Sequence, residues 1–386
     1  MRVLIAPDSF KGSLDTLTVA RALGDGWRRG RPMDELRLIP LADGGEGTLE
    51  AIKASDAGWL ELPAHARDPL GRAIGATFLR RGDEGVVELA SASGLSRLTR
   101  GDRDDRDALS ASTFGTGQVV AAAIGLGVRN IVIGLGGSAT TDGGSGLLAA
   151  LGARFRDAAG RDLDGGGGAL ARLASVDLDG LAPILAEAHV TVASDVTNPL
   201  LGERGAAATY APQKGASAEE VATLDANLAH YADLLEAAAH RRVRDEPGAG
   251  AAGGTTAGLL AIADRFASFE VRPGVDVVME LTRFDAALAE SDLVLTGEGR
   301  IDDQTAFGKT AMGVAERARQ MGVACICFGG GAVPEGIEAL ARVGAVVMPV
   351  IERPLAVEEA MAAGTAPLVR AAERTARLIA FGQELR

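Results

Sequence analysis

The segment Val3-Leu-Ile-Ala-Pro-Asp-Ser-Phe-Lys-Gly-Ser13 decides the fold prediction, because an apolar run leads directly into a polar, glycine-containing loop. Residues 3–6 predict a short buried strand, and residues 14–28 after the loop predict a helix. A second strand at 36–40 and a second helix at 46–54 repeat this order. Alternating strands and helices indicate a parallel sheet that is covered by helices on both faces.

The C-terminal part of the chain returns to the same alternation. Strand-like stretches lie at 293–296, 324–328 and 345–350, and helical stretches lie at 311–320, 336–342 and 355–379. Five such strands suit a flavodoxin-like or Rossmann-like sheet. We therefore predict a parallel α/β domain built from both chain ends, residues 1–63 and 290–386.

The middle of the chain has a different pattern. Residues 60–89 alternate apolar and polar side chains between turn sequences, which is typical of antiparallel strands. Further strands at 130–133 and 190–193 are accompanied by helical stretches. These features predict an inserted, mixed α/β domain at residues 64–289, so the protein is expected to be a two-domain α/β protein.

Composition excludes several classes of function. The chain has a formal net charge of −13 and only 4% aromatic residues, whereas a nucleic-acid-binding protein needs a basic surface and often stacking aromatics. No apolar run reaches the roughly 18 residues that predict a membrane-spanning helix, and the N-terminal apolar stretch is too short for a signal peptide. Cys325 and Cys327 match neither a zinc site nor a disulfide framework. We expect a cytoplasmic protein without nucleic-acid or membrane partners.

The lysines are few and unevenly placed. Of 39 basic residues only Lys11, Lys53, Lys214 and Lys309 are lysine, and all except Lys53 adjoin a glycine in a polar loop. A compact ammonium group beside exposed backbone N–H groups is a common phosphate contact. We therefore interpret these three as candidate phosphate or carboxylate contacts, with ordinary solvated lysines as the alternative.

Glycine-rich polar loops follow the predicted strands, where α/β sheets bind ligands. The loop Leu41-Ala-Asp-Gly-Gly-Glu-Gly-Thr48 combines two acidic residues with glycines, a pattern suited to metal or hydroxyl contacts. The loop Ile133-Gly-Leu-Gly-Gly-Ser-Ala-Thr-Thr-Asp-Gly-Gly144 predicts an anion cradle. Neither this loop nor Leu295-Thr-Gly-Glu-Gly-Arg-Ile-Asp302, which precedes Gly308-Lys-Thr310, fits a Walker A motif.

No histidine lies in these loops, so a carboxylate is the candidate general base. Asp195, after the strand at 190–193, is the first choice and Asp8 the second, although Asp195 also precedes the turn sequence Asn198-Pro199. The run Gly248-Ala-Gly-Ala-Ala-Gly253 matches G-x-G-x-x-G but lacks a preceding apolar strand. A nicotinamide-dependent dehydrogenase and a carboxylate or nucleotide sensor are therefore weaker alternatives to an enzyme that handles phosphate.

Taken together, the loops resemble one family. Residues 6–13, 41–48, 133–144, 195–200, 212–215 and 296–309, with the turn Asp68-Pro-Leu-Gly71, are similar in sequence and order to the type-1 glycerate kinases. Ser194 departs from the cysteine that many members have there. The resemblance implies two α/β domains with the active site in the cleft between them. It also implies ATP- and Mg²⁺-dependent phosphorylation of D-glycerate, to 2-phosphoglycerate or, alternatively, 3-phosphoglycerate, by a monomer or homodimer.

Site residues follow from combining these loops with phosphoryl transfer to a glycerate hydroxyl. We expect Asp195 or Asp8 to act as the base, and Asp43, Glu46 and Asp302 to hold the metal ion. The expected substrate- or phosphate-binding residues are Ser9, Lys11, Gly44, Gly45, Gly136, Gly137, Ser138, Thr140, Asn198, Lys214, Gly297 and Lys309.

Overall fold

The computed structural model describes residues 1–100, 103–302 and 310–385. The chain divides into two compact units: unit 1 comprises residues 1–43, 50–57 and 275–386, and unit 2 comprises residues 44–49 and 58–274. The domain boundaries expected from the sequence, after residues 63 and 289, stay predictions beside this division. None of the described helices is long and apolar enough to cross a membrane.

The described residues form strands and helices in the following order. The strands are β1 (Arg2–Ile5), β2 (Glu35–Leu38), β3 (Leu60–Arg67), β4 (Ala73–Arg81), β5 (Glu84–Glu88), β6 (Thr99–Arg100), β7 (Arg103–Asp104), β8 (Asn130–Gly134), β9 (Arg154–Arg156), β10 (Ser175–Asp177), β11 (His189–Ala193), β12 (Ser268–Arg272), β13 (Leu293–Ile301), β14 (Ala324–Ala332) and β15 (Ala345–Pro349). The helices are α1 (Thr16–Gly30), α2 (Thr48–Ser55), α3 (Ala90–Ser93), α4 (Phe114–Gly125), α5 (Ser145–Ala150), α6 (Ala206–Tyr210), α7 (Ala218–Ala239), α8 (Ala251–Ala261), α9 (Gly274–Leu281), α10 (Phe284–Ala289), α11 (Thr310–Met321), α12 (Pro334–Arg342), α13 (Val357–Ala362) and α14 (Ala366–Glu384).

Unit 1 contains a five-stranded sheet whose strands all pair in parallel, in the order β15-β14-β13-β1-β2. Counted along the chain, these strands have the spatial order 2-1-3-4-5, which is the flavodoxin-like arrangement. The order reverses between β1 and β13, and such a reversal opens a crevice at the carboxyl ends of the strands. The predicted parallel α/β fold from both chain ends is confirmed.

Three elements of unit 1 differ from their predicted extents. Strand β13 continues through Gly297 and Gly299, which were expected to lie in a loop, and β14 continues beyond its expected end at residue 328 to Ala332. A Cβ on Gly297 would lie 2.6 Å from the carbonyl oxygen of Phe328, so the glycine allows the two strands to pair closely. The helix expected at 355–379 is instead two helices, α13 and α14, because Gly364 adopts a φ of +61° between them.

Unit 2 is built on a six-stranded mixed sheet in the order β12-β11-β8-β5-β4-β3. Strands β12, β11, β8 and β5 pair in parallel, and β4 pairs antiparallel with both β5 and β3. The antiparallel part corresponds to the alternating pattern of residues 60–89, and the predicted mixed sheet is confirmed. Buried Phe78, Val87, Ile131 and Val190 belong to the hydrophobic core of this unit.

Candidate active site

Asp8 lies three residues after the end of β1, at the crevice where the strand order of unit 1 reverses. Its backbone N–H donates to the carbonyl oxygen of Gly297 on β13, at 2.9 Å. Its side chain is buried and accepts two hydrogen bonds of 2.6 Å, one at Oδ1 from the backbone N–H of Ser9 and one at Oδ2 from the hydroxyl of Thr310. The carboxylate is therefore held in a fixed orientation.

The environment of Asp8 changes its acidity. Burial, followed by the negative charge of Asp43, raises the pKa of Asp8 from 3.8 to about 6, against the opposing effects of the Thr310 hydrogen bond and the charge of Lys11. A base is most effective when its pKa lies near the working pH. Asp8 is thus suited to accept a proton near neutrality.

Lys11 supplies the positive charge next to this carboxylate. Its Nζ lies 2.9 Å from Oδ2 of Asp43, yet 73% of its side chain is exposed, so a ligand can reach it. Desolvation alone would lower the pKa of Lys11, but the charges of Asp43, Asp8 and Glu298 raise it above the ordinary value. Lys11 therefore stays protonated and is available to an anion.

These residues line one end of a cavity of about 680 Å³ within unit 1. The polar end is formed by Asp8, Ser9, Lys11, Asp43, Glu298 and Arg300. The remaining lining is mostly apolar and comes from the segments after β14 and β15, from α13 and from the start of α14. A cavity is therefore present at the crevice that the strand order indicates. Besides Asp8, its lining includes three residues that the sequence predicted for the site, namely Ser9, Lys11 and Asp43.

The glycines of the 44–49 and 134–137 loops, both in unit 2, pack against each other. The backbone N–H of Gly136 donates to the carbonyl oxygen of Gly44 at 3.2 Å, and a Cβ on Gly136 would overlap Cα of Gly45. Gly44 and Gly137 also adopt φ angles of +84° and +74°. Close packing of the two loops accounts for these glycines, and their predicted role in binding phosphate stays a prediction.

Glu88, the last residue of β5, is a buried acidic residue of unit 2 that the sequence did not single out. Its two carboxylate oxygens accept the backbone N–H groups of Gly47, at 3.3 Å, and Leu49, at 3.2 Å. Burial raises its pKa from 4.5 to about 7, although these hydrogen bonds counteract the shift. A single acidic residue at the end of an apolar run, Val86-Val-Glu88-Leu, was the available signal.

Lys214 is buried in unit 2 and holds the loop after β8. Its Nζ donates to the hydroxyl of Ser138 at 2.9 Å and to the carbonyl oxygen of Thr140 at 2.6 Å. Burial lowers its pKa to about 7, although the charge of Asp142 opposes the shift. The Thr140 hydroxyl is buried and has no hydrogen-bond partner among the described residues. The contacts show Lys214 supporting the loop after β8, and its binding of phosphate stays a prediction.

The residues after β11 are tied into their surroundings. Oδ1 of Asp195 accepts the backbone N–H of Gly274 at 2.9 Å. Asn198 accepts from the hydroxyl of Tyr210 and donates to the carbonyl oxygen of Arg204, both at 2.8 Å. These contacts support a structural role for both residues, and neither the base role of Asp195 nor substrate binding by Asn198 is tested by them.

The predicted metal ligands lie in different parts of the chain. Asp43 and Asp302 belong to unit 1, and Glu46 is an exposed residue of unit 2. Asp302 lies 3.2 Å from Nε of Arg300. Among the described residues, no group of three or more His, Cys, Asp or Glu side chains is arranged to hold a metal ion. Lys309, predicted to contact phosphate, lies outside the described residues.

Comparison with known proteins agrees with this architecture. The sequence model of the glycerate kinase family matches residues 3–380. A glycerate kinase from Halalkalibacterium halodurans is 41% identical over 97% of both chains. A glycerate 2-kinase from Escherichia coli K12 is 43% identical over 83% of this chain and 82% of its own. A crystal structure from Salmonella typhimurium LT2, of a protein assigned as glycerate kinase 2, has a TM-score of 0.82 and 40% identity, and the match covers 100% of this chain and 99% of that one.

The extent of these matches leaves no large part of the chain unaccounted for. The family match spans nearly the entire length, and the relatives align over most of their own length as well as this chain's. The resemblance inferred from the polar loops is confirmed. The chain belongs to the glycerate kinase family, whose members are phosphotransferases that act on an alcohol group.

Proposed function

We propose that this protein transfers the γ-phosphoryl group of ATP to the 2-hydroxyl group of D-glycerate, giving 2-phosphoglycerate and ADP. The observation that carries the proposal is the polar end of the unit 1 cavity, where Asp8 is oriented by two hydrogen bonds and Lys11 lies nearby. The name of the Escherichia coli relative, glycerate 2-kinase, supports the 2-hydroxyl as acceptor. We also propose a cytoplasmic location, because ATP is the donor.

In this mechanism the glycerate oxygen forms a bond to the γ-phosphorus while the bond from that phosphorus to the β,γ-bridging oxygen breaks. Asp8 accepts the hydroxyl proton, and Lys11 attracts the anionic groups of the substrates. Such a transfer depends on positioning and charge neutralisation more than on covalent catalysis. We favour Asp8 over Asp195 as the base because Asp8 lines the cavity and its pKa is raised to about 6.

The polar end of the cavity has the donor chemistry that Mg²⁺ prefers. Asp43 and Glu298 offer carboxylate oxygens there, and Mg²⁺ is commonly held by one or two carboxylates together with substrate phosphates. Asp43 is our principal candidate ligand, and Glu46 and Asp302 stay predictions. When bound, the ion would neutralise charge on the triphosphate.

The dehydrogenase alternative has no support in the structure. A Cβ on Gly253 would overlap the carbonyl oxygen of Thr140, and one on Gly254 would lie 2.9 Å from Cα of Gly143. Gly253 and Gly254 therefore allow α8 to pack against the loop at 140–144. Cβ atoms on Gly248 and Gly250 would lie 2.9 Å and 2.3 Å from the carbonyl oxygens of Val196 and Pro199, so these two glycines allow close packing against the segment after β11. This packing explains the G-x-G-x-x-G match without a dinucleotide.

A product assay tests the proposed function. Purified protein is incubated with ATP, Mg²⁺ and D-glycerate, ADP release is measured, and L-glycerate serves as the control. Proton-coupled ³¹P spectra identify the ester: a phosphate on C2 couples to one proton and gives a doublet, whereas one on C3 couples to two and gives a triplet. A doublet is expected. A triplet would correct the regiochemistry, and absence of any phosphoglycerate would refute the function.

A further inference from the structure

The unit 1 cavity has an apolar wall that a three-carbon hydroxy acid does not need. This wall, called here the α13 wall, is formed by Val333, Val350, Leu355, Val357, Met361 and Leu368. Glycerate consists almost entirely of a carboxylate and two hydroxyl groups, so it gains little from apolar contacts. The wall is adapted to a ligand that has a substantial apolar part.

Helix α13 presents exposed apolar side chains at this wall. Val357 and Met361 are one helical turn apart on the same face, and they are 69% and 40% exposed. None of the residues of α13 is buried. A ligand that covers apolar surface at the edge of a pocket removes this surface from water, which favours binding.

The α13 wall is continuous with the polar end of the cavity. Gly12 directly follows Lys11 and has a φ of +81°, and a Cβ on Gly12 would lie 3.0 Å from Cε of Met361. The Met361 methyl group is therefore packed close to the Lys11 loop. A single ligand can contact Met361 with its apolar part and extend its charged part toward Lys11.

The volume of the cavity indicates the size of the ligand. Its volume of about 680 Å³ falls in the range of ~300–1,000 Å³ typical of pockets for drug-sized molecules. We propose that the α13 wall binds the adenosine part of ATP and that the triphosphate extends toward Lys11. The proposal rests on the proposed use of ATP. A planar base suits this wall because aliphatic side chains and the adaptable thioether of methionine can pack on its faces.

Substitution of the wall tests this proposal by direct binding. In equilibrium dialysis with labelled ATP and no glycerate, Met361→Glu should weaken ATP binding at least tenfold, because the carboxylate must be desolvated under the base. Val357→Glu gives a second, more exposed position if the first variant does not fold. Met33→Glu is the matched control, since Met33 is 92% exposed and is not part of the cavity wall.

Competition by adenosine distinguishes lost contact with the adenine ring from electrostatic repulsion between the introduced carboxylate and the phosphates of ATP. Adenosine carries no phosphate, so it should displace labelled ATP from the wild-type protein, and it should do so at higher concentration in Met361→Glu. In steady-state assays the same variant should raise the KM for ATP at least tenfold and the KM for D-glycerate less than twofold.

The outcomes distinguish this proposal from the proposed function. Unchanged ATP affinity in both Met361→Glu and Val357→Glu would overturn the adenosine site even if the enzyme phosphorylates glycerate. Weaker ATP binding in both variants, with no phosphoglycerate formed by the wild-type protein, would support the site and refute the function. Equal weakening in Met33→Glu would show a non-specific effect of charge and would also overturn the site.

Discussion

Asp8 and Thr310 form the contact whose chemical effect is easiest to predict. The hydroxyl of Thr310 donates to Oδ2 of Asp8 and lowers the pKa of a carboxyl group that burial raises. In the proposed mechanism only ionised Asp8 accepts a proton, so the acidic limb of the pH–rate profile reports its pKa. Thr310 thus acts as a positioning residue through Asp8.

Thr310→Val should move the acidic limb of kcat/KM to higher pH. Loss of the hydroxyl removes a hydrogen bond that favours the ionised form, so the pKa of Asp8 rises above about 6 and activity below neutrality falls. At pH 8 to 9 the activity should largely recover. Thr310→Ser keeps the hydroxyl and should retain the wild-type profile. An unshifted limb in Thr310→Val would show that Thr310 does not act through the ionisation of Asp8.

Glu88 gives a residue-scale prediction about stability. Its pKa is raised from 4.5 to about 7, so between these pH values the folded state binds more protons than the unfolded state. The free energy of unfolding therefore decreases as pH rises through this window, by roughly 3 kcal/mol from this group. Glu88→Gln cannot ionise and should show a smaller decrease in urea unfolding between pH 5 and 7. The pKa of Asp8 is also raised, so part of the decrease in the free energy of unfolding remains in Glu88→Gln.

Neither buried acid could be recognised from the sequence as having a shifted pKa. Glu88 contacts the turn at 47–49, about 40 residues earlier in the chain, and Asp8 contacts Thr310, which is 302 residues away. The sequence did indicate Asp8 as a candidate because it follows an apolar strand. Burial and partners depend on tertiary packing, so Asp195, which follows a strand in the same way, could not be ranked below it.

At the scale of elements, helices α1 and α14 pack closely because Gly26 has no side chain at their contact. A Cβ on Gly26 would overlap the carbonyl oxygen of Val369 and lie 2.8 Å from Cβ of Ala372. These two helices come from opposite ends of the chain, so their contact helps to fix the N-terminal segment to the C-terminal one.

Gly26→Ala should therefore destabilise the protein even though alanine favours a helix. Overpacking typically costs about 1–3 kcal/mol, more than the ~0.5–1 kcal/mol that alanine gains over glycine in a helix. Gly382→Ala in α14 is the control, since a Cβ there has no atom within 4 Å and should be neutral or stabilising. Thermal unfolding of the two variants measures the difference. Equal melting temperatures would contradict the close packing of α1 and α14.

Element boundaries were predicted well where apolar runs end at polar turns and less well at glycines. The sequence placed the start of β13 at Leu293, as observed, but ended it at residue 296 instead of Ile301. Glycine is common in loops, and only the approach of Gly297 to Phe328 shows why it is retained within paired strands here. Gly364 had the opposite effect, since it ends a helix that the sequence pattern continued.

At the scale of the whole molecule, the sequence indicated an α/β protein in which both chain ends share one sheet. It could not supply the strand order 2-1-3-4-5, because pairs such as Val3 with Leu293 join residues far apart in the chain. That order places the crevice beside β1 and β13, and it makes Asp8 and Lys11 part of one cavity. We propose that this cavity in unit 1 carries out phosphoryl transfer, with Asp8 as the base.

The kcat of Asp8→Asn, measured by ADP release with saturating ATP and D-glycerate, tests this claim most directly. Asparagine keeps the shape of the side chain but cannot accept the proton, so kcat should fall by roughly 10²–10⁴-fold. Asp195→Asn should lower kcat less than tenfold, since an asparagine oxygen can still accept the N–H of Gly274. Both variants should keep a wild-type melting temperature within a few degrees. Near wild-type kcat in Asp8→Asn, together with a loss of 10²-fold or more in Asp195→Asn, would contradict the account and assign the base to Asp195.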